Sequence, residues 1–221
     1  MASVFSDRLR LRQHSVMISG RRMEIEIPSD SEQVLEAAID AETRGVRDAD
    51  PYWGLIWDAA PKTSERILSA GWSEGTRVLE LGCGVGLCGI AALFAGCHVT
   101  FSDLVPAAVD LALRNAHRNG FPNAAGMVLD WENPASVQFP VIVASDVLYD
   151  QNNHRPLLNV LNAMTAPDGL VWIGDAGRHN APRFIELARD AGWNVALSDV
   201  KGRELPAPTH VEFQLLQLNR R

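Results

Sequence analysis

A glycine-rich loop followed at a distance by an acidic residue is the first pattern in this sequence that could perform chemistry. Gly82, Gly84 and Gly86 follow the apolar stretch Arg77–Leu81 and lead into a segment rich in alanine and leucine. Glycines at such a turn let the backbone bend tightly and let a ligand approach without meeting a Cβ atom. Asp103 lies 21 positions after Gly82, at the end of the next apolar stretch. Because a carboxylate there can accept hydrogen bonds from ribose hydroxyls, the pattern predicts a nucleoside ligand.

The spacing within the loop indicates which kind of nucleoside it would bind. Dinucleotide-binding loops follow G-x-G-x-x-G, but Leu87 stands where the third glycine of that pattern would be. Glu80, just before the loop, would not favour a pyrophosphate, whereas it would favour a ligand that carries an amino group and a sulfonium. The phosphate-binding pattern G-x-x-x-x-G-K-[ST] is absent from the sequence. The loop therefore favours a cationic nucleoside over a dinucleotide.

Strands and helices that alternate from Arg77 onward must position this loop. The pattern predicts strands at 77–81, 98–102, 126–129, 141–145, 170–174, 193–198 and 211–218, and helices at 87–95, 106–119, 155–166 and 182–191. We expect the third of these helices to end at Pro167-Asp168-Gly169. Strands that alternate with helices of this length imply a parallel sheet covered on both faces.

The N-terminal part of the chain has a different pattern. Residues Gln13–Pro28 alternate as in two strands, with Ser19-Gly20 between them, which predicts a β-hairpin. The run Ser29–Glu32 resembles a capping box that opens a helix over Gln33–Glu42. We therefore divide the chain into an N-terminal hairpin and helix extension, residues 1–50, and a main domain, residues 51–221.

The composition excludes several classes of protein. The 221 residues are 47% hydrophobic and carry a formal net charge of −7. No run approaches the ~18 consecutive apolar residues of a membrane span, and the acidic balance disfavours a broad nucleic-acid surface. The three cysteines form no Cys-x-x-Cys pair and the six histidines are scattered, so we expect neither a disulfide framework nor a metal site. We expect a cytoplasmic protein without membrane or nucleic-acid partners, monomeric by default.

From Arg77 to about Leu218 the sequence resembles the class I methyltransferases that use S-adenosylmethionine (SAM). The resemblance implies an α/β fold with a Rossmann-like, doubly wound, mostly parallel sheet of seven strands. It also implies SAM as the cofactor. The positions that match the binding motifs of that family for methionine, ribose and adenine are Glu80, Gly82, Gly84, Gly86, Asp103, Asp130 and Trp131.

Two further segments narrow the resemblance. An aromatic element with Tyr52, Trp53 and Trp57 precedes the first strand of the main domain, and Ser145, Asp146 and Tyr149 stand at the end of its fourth strand. Together they are similar to the seven-β-strand protein lysine methyltransferases, a group that includes the enzyme acting on the electron-transfer flavoprotein β-subunit.

The stretch Gly174-Asp175-Ala176-Gly177-Arg178 also looks like a stretch of those relatives. The resemblance implies that Asp146 holds the incoming lysine ammonium and that Tyr149 lines its channel. It places Trp57 and Ser145 beside the cofactor.

The leading hypothesis is a SAM-dependent N-methyltransferase that acts on a lysine of another protein. One alternative keeps the fold but takes a small amine or a heterocyclic nitrogen as the acceptor. A non-enzymatic SAM- or nucleoside-binding module is a further alternative. An NAD-dependent oxidoreductase is disfavoured by Leu87.

Overall fold

A computed structural model of the chain describes residues 10–30, 34 and 51–220, and the statements below concern these residues. The helix predicted over Gln33–Glu42 lies outside them, apart from Val34. Within the described ranges, no helix combines the length and the apolar character that crossing a membrane requires.

Seven strands of the described chain form one sheet, and the helices pack against it. They are β3 (Arg77–Leu81), β4 (His98–Asp103), β5 (Ala125–Val128), β6 (Phe139–Ser145), β7 (Thr165–Asp175), β8 (Trp193–Ser198) and β9 (Gln214–Arg220). Their spatial order is β5-β4-β3-β6-β7-β9-β8. All pairs are parallel except those that β9 makes with β7 and β8. The predicted Rossmann-like, mostly parallel seven-stranded sheet is confirmed.

Strand order reverses between β3 and β6, and this reversal decides where a ligand can bind. From β3 the chain moves outward through β4 to β5, then returns to place β6 on the other side of β3. The connections on the two sides diverge there, which leaves a crevice outside the carboxyl ends of the strands. The glycine loop leaves β3 at this crevice, and Asp146 follows β6 at the same place.

Helices cover both faces of the sheet, as the alternating pattern predicted. They are α1 (Ala59–Leu68), α2 (Leu87–Phe94), α3 (Pro106–Arg118), α4 (His154–Met164) and α5 (Ala181–Asp190), with 3₁₀ turns at Pro51–Gly54 and Gln151–Asn153. Successive strand side chains point to opposite faces. Val143 of β6 therefore packs in the apolar cluster beneath α1, α2 and α3, while its neighbour Ile142 packs with α4 and α5.

The N-terminal hairpin is formed by β1 (Leu11–Ile18) and β2 (Arg21–Pro28), as predicted. Its turn residues Ser19 and Gly20 both have positive φ, as a type I′ turn requires. The buried side chains of β2 belong to the same apolar cluster as α2 and α3. The extension therefore packs onto the sheet domain. The division at residue 50 falls beside a stretch outside the described residues and stays a prediction.

Asn115 of α3 joins this hairpin to the glycine loop. Its fully buried side chain accepts a hydrogen bond from the Glu26 N–H at 2.8 Å and donates to the Glu26 carbonyl at 3.0 Å. The same amide donates to the carbonyl of Val85, within the loop, at 2.9 Å. One side chain thus binds the backbone N–H and carbonyl of Glu26 in β2 and also holds the glycine loop through Val85.

Several boundaries differ from those expected, and three of the differences have a local cause. The helix expected to run to residue 166 ends at Met164, because Thr165 already pairs with Phe139 as the first residue of β7. The register then shifts before Leu170, so Pro167-Asp168-Gly169 lies in an irregular part of β7, where a proline has no ladder bond to donate. The last strand begins at Gln214.

The start of the last strand and helix α1 also differ from the prediction. Val211, the expected start of the last strand, is 91% exposed and has a φ of 59°, which is incompatible with a strand. Helix α1 had no counterpart among the predicted elements. Its buried residues Ala59, Thr63 and Ile67 have helical spacing, a signal that its small and polar residues obscure.

Candidate active site

A cavity of about 640 Å³ lies outside the carboxyl ends of β3, β4 and β6. Ten of the eleven predicted site residues line it: Trp57, Glu80, Gly82, Gly84, Asp103, Asp130, Trp131, Ser145, Asp146 and Tyr149. We call the part formed by Glu80, the glycine loop and Asp103 the cofactor end. The part formed by Trp57, Asp146 and Tyr149 is the acceptor end. The fold therefore brings together residues that the sequence separates widely.

The eleventh predicted residue, Gly86, is absent from the cavity lining. A Cβ atom at Gly86 would lie 2.8 Å from the Cβ of Ala112 and 3.0 Å from a ring carbon of Phe101. Its φ of 84° also favours glycine. Close packing against α3 and β4 thus explains a glycine here, and its predicted cofactor contact stays a prediction.

Gly84 has a different neighbour. A Cβ atom at this position would lie 2.8 Å from the backbone carbonyl oxygen of Trp53, and the residue has a φ of 50°. The loop and the aromatic segment that begins at Pro51 therefore approach each other backbone to backbone. Any larger residue at position 84 must displace one of the two walls of the cavity.

Asp103 fixes the glycine loop from the adjacent strand. Its carboxylate accepts hydrogen bonds from the N–H groups of Gly84 and Val105, each at 3.0 Å. The side chain is buried but still forms part of the cavity wall. The negative charge is thus held rigidly at the end of β4.

Glu80 places a second carboxyl group at this end. Only 3% of the residue is exposed, and one oxygen accepts a hydrogen bond from the Gly89 N–H at 3.0 Å. Burial raises the pKa of Glu80 to about 8, against opposing hydrogen bonds from the backbone of Gly89 and Cys88. The negative charge of Asp103 raises this pKa further. A cation placed in the cavity would reverse that shift, because it favours the ionised carboxylate.

Asp130 and Trp131 follow β5 and line the cavity beside the loop. Asp130 accepts hydrogen bonds from the Glu132 N–H at 2.9 Å and from the Asn133 side chain at 2.7 Å. The Trp131 ring lies about one contact distance from the loop, since its Cζ2 would be 3.6 Å from a Cβ at Gly82. Asp130 therefore shapes the turn that presents an aromatic face to the cavity.

Asp146 is the central residue of the acceptor end. It follows β6 with a φ of 57°, a conformation that aspartate tolerates better than most residues. Its Oδ2 accepts hydrogen bonds from the Ala59 N–H at 2.9 Å and from the Ser145 hydroxyl at 3.3 Å. Because Ala59 is the first residue of α1, this carboxylate satisfies one of the open N–H groups at the start of that helix. Burial raises the pKa of Asp146, partly offset by this N–H and by Arg178.

Arg178 contacts Asp146, although the sequence had predicted no role for it. Its guanidinium donates to Oδ1 of Asp146 at 3.0 Å. The Asp175 carboxylate accepts hydrogen bonds from the N–H groups of Gly177 and Arg178 and from the Gln214 side chain, which fixes the loop after β7. The only sequence signal was the resemblance of the stretch that ends at Arg178.

Two aromatic side chains flank this ion pair. These side chains are Trp57 and Tyr149. The Trp57 indole N–H donates to the Tyr52 carbonyl at 3.1 Å, and the rings of Trp57 and Tyr52 meet edge to face with centres 5.8 Å apart. The guanidinium carbon of Arg178 lies 5.5 Å from the centre of the Trp57 ring and 6.0 Å from that of Tyr149. The acceptor end thus combines a buried carboxylate with two aromatic rings, and both kinds of group attract cations.

Comparison with known proteins assigns this arrangement to a family. Residues 50–190 match the family described as lysine methyltransferase. EEF1A lysine methyltransferase 3 of Mus musculus is 30% identical over 175 residues, which cover 70% of this chain and 75% of that protein. The electron transfer flavoprotein beta subunit lysine methyltransferase of Rattus norvegicus is 32% identical over 62% of this chain. The match covers only 53% of that relative's length.

A solved structure agrees on the fold. The TehB-like SAM-dependent methyltransferase from Corynebacterium glutamicum superimposes with a TM-score of 0.61 and 22% identity, over 86% of this chain and 98% of that one. The strand order, the glycine loop at the crevice and the family match over more than half of the chain agree. The chain therefore belongs to the lysine methyltransferase family and is a SAM-dependent methyltransferase.

Proposed function

We propose that this enzyme methylates a lysine side chain of a protein substrate, with SAM at the cofactor end and the lysine at the acceptor end. The observation that carries the proposal is the position of Asp146. A buried carboxylate lines the same cavity as the glycine loop and is flanked by aromatic rings. A cationic acceptor such as a lysine ammonium is the kind of group that such a site attracts.

The residues at the cofactor end fit SAM. SAM supplies a methyl group bound to a positively charged sulfur, which makes the methyl carbon electrophilic. Glu80 would favour its ammonium and sulfonium charges, because a cation stabilises the ionised form of this buried carboxyl group. Asp103 would accept from the ribose hydroxyls, and Asp130 and Trp131 would bind the adenine. Trp57 and Ser145 would lie between cofactor and acceptor.

The acceptor end must do two things for a lysine. It must hold the side chain in line with the methyl group, since positioning alone can supply effective molarities of about 10⁵ M or more. It must also help the ammonium lose its proton, because at neutral pH only about one lysine in a thousand is uncharged. Asp146 would serve the first task by binding the ammonium. Removal from water between Trp57 and Tyr149 would serve the second.

The names of the relatives and the charge of the chain bear on the substrate. The relatives named above carry the names of lysine methyltransferases of specific proteins, which supports a protein acceptor here. The net charge of −7 supports a partner other than a nucleic acid. We place the enzyme in the cytoplasm as part of the same proposal.

The test uses tritium-labelled SAM and a cell lysate. We expect the purified enzyme to label one or a few discrete protein bands, and acid hydrolysis of a labelled band to release methyllysine. A parallel reaction without enzyme gives the background. Label found only in the small-molecule fraction would show that the acceptor is a small amine, and label in protein without methyllysine would exclude lysine.

A further inference from the structure

The carboxylate that the proposed function assigns to the substrate already binds a cation of this chain. Arg178 donates to Asp146 at 3.0 Å, with 28% of the arginine side chain exposed and only 2% of the aspartate side chain. Arg178 is absent from the cavity lining, whereas Asp146 is part of it.

Arg178 also contacts the aromatic rings of the acceptor end. Its guanidinium lies over both Trp57 and Tyr149, at 5.5 and 6.0 Å from the ring centres. Cations at such distances are attracted by the negative faces of aromatic rings. We call Asp146, Trp57 and Tyr149 the cation site. A carboxylate and two aromatic rings can also bind a lysine ammonium.

We infer that Arg178 occupies the cation site in the free enzyme and that the substrate lysine displaces it. This inference rests on the proposed function, which brings the lysine to Asp146. The arginine acts as an internal competitor, so an acceptor must offer a positive charge and good contacts to replace it. A neutral or acidic side chain cannot do so.

The bonding of Arg178 is compatible with displacement. Its Nε atom is buried and has no hydrogen-bond partner among the described residues, so this arginine is incompletely satisfied where it lies. Its backbone N–H is held separately by Asp175. The side chain can therefore rotate toward solvent while the loop after β7 keeps its position.

Exchange of one cation for another also avoids an unpaired buried charge. Removing the partner of a buried ion leaves an uncompensated charge, which is strongly unfavourable. The neighbouring Asp175 adds negative potential at Asp146, which increases that penalty. An incoming ammonium compensates the carboxylate as Arg178 leaves, so the site opens when a cationic acceptor is present.

Calorimetric titration with n-butylammonium chloride, a mimic of the lysine side chain, tests this inference. The measurements are made at pH 8, where the amine is protonated, on the wild type, Arg178→Gln and Arg178→Lys. If Arg178 fills the site about nine-tenths of the time, Arg178→Gln should bind the probe about tenfold more tightly. Arg178→Lys keeps a competing cation and should bind as weakly as the wild type.

A matched control and a second substitution distinguish failure of the displacement from failure of the acceptor assignment. Arg183→Gln removes an arginine that pairs with Glu186 on the surface, and it should leave the affinity of the probe unchanged. Asp146→Asn in the Arg178→Gln background should abolish the gain. If Arg178→Gln binds no tighter but Asp146→Asn still weakens binding, displacement is wrong and the cation site stands. If Asp146→Asn has no effect, the acceptor assignment itself fails.

A second measurement follows Arg178 directly in the wild type and uses a variant only to assign the signal. The Nε–H signal of Arg178 can be followed by NMR in ¹⁵N-labelled enzyme, assigned by its loss in Arg178→Lys. Saturating n-butylammonium should move this signal toward that of a solvated arginine. An unchanged signal at saturation would show that the arginine stays in place and would overturn the inference.

Discussion

At the cofactor end of the cavity the polar groups belong to one continuous stretch, Glu80–Asp103, whereas the acceptor end is assembled from separate segments. Glu80 and Asp103 are held by N–H groups of their own strand–loop–helix unit. Asp146 is held by Ala59, 87 positions away, and by Arg178, 32 positions away. A locally built site can be read from its own stretch of sequence. A site built from distant segments depends on how the sheet and helices pack.

This difference has a functional consequence. Bonds to backbone N–H groups leave the carboxylates of the cofactor end little freedom, so that end is preorganised. The Asp146–Arg178 bond joins two side chains, and one of them can move. Variants at the two ends should therefore separate cofactor binding from methyl transfer, and five predictions test this separation.

The largest effect is expected for Gly84→Val. The new Cβ would meet the Trp53 carbonyl at 2.8 Å, and valine is strained at a φ of 50°, so the loop must shift into the cavity. We expect no measurable SAM binding by calorimetry. Gly120→Val is the matched control, because Gly120 also has positive φ but a Cβ there meets nothing within 4 Å. Equal loss of binding in both variants would show that backbone strain alone is responsible.

Asp146→Asn should separate the two ends most clearly. Asparagine keeps an oxygen for the Ala59 N–H but loses the charge that binds an ammonium. We expect nearly normal SAM affinity and methyl transfer reduced by about 10² or more, as for loss of a transition-state positioning contact.

For Asp146→Asn we measure the initial rate of methyl transfer from labelled SAM to the lysate proteins. Asp190→Asn, at the exposed end of α5, is the control. A higher pH should restore part of the activity if Asp146 also helps lysine reach its neutral form. Full activity on a protein substrate would contradict the assignment of Asp146, and an unfolded variant would show that it acts mainly as a helix cap.

Asp103→Ala should weaken SAM binding by about 1.5–3 kcal/mol, the range of hydrogen bonds to a charged group. Asp103→Asn keeps an acceptor for the Gly84 N–H and should lose less, since the loop stays fixed. Calorimetric titration with SAM measures both. If the two variants lose affinity equally, the ribose contact and not the loop contact dominates. Normal SAM affinity in Asp103→Ala would remove this residue from the site.

A further difference between the two ends concerns Glu80 and pH. Its pKa rises from 4.5 to about 8 on folding, with burial as the main cause. Between these values the folded state holds a proton that the unfolded state has lost, so the free energy of unfolding falls as the pH rises from 4.5 to about 8. Glu80→Gln keeps an acceptor for Gly89 and should flatten this part of the pH profile in denaturant titrations. A profile identical to that of the wild type would contradict the shift.

The same group should couple SAM binding to proton release. A cation beside Glu80 favours the carboxylate, so binding near pH 7 should release up to about one proton. The heat of binding measured in buffers of different ionisation enthalpy gives this number. Glu80→Gln should remove most of the release, whereas Asp146→Asn should not.

The sequence by itself determined the elements and the cofactor end. Alternating apolar runs predicted the strands and helices of the sheet domain, because burial on both faces of a parallel sheet leaves a strong pattern. The glycines and Asp103 were predictable because their geometry is set within one strand–loop–helix–strand unit. Even here packing mattered, since Gly86 lies against Ala112 and Phe101 instead of lining the cavity.

Only the tertiary structure decided how the separate segments of the acceptor end come together. Helix α1 has little apolar pattern of its own, and its first N–H is satisfied by Asp146 from across the fold. The pairing of Asp146 with Arg178 exists because β6 and β7 are parallel neighbours, which brings the residues that follow them to one edge of the sheet. No local pattern encodes a contact between side chains 32 positions apart, because such contacts arise from the packing of whole elements.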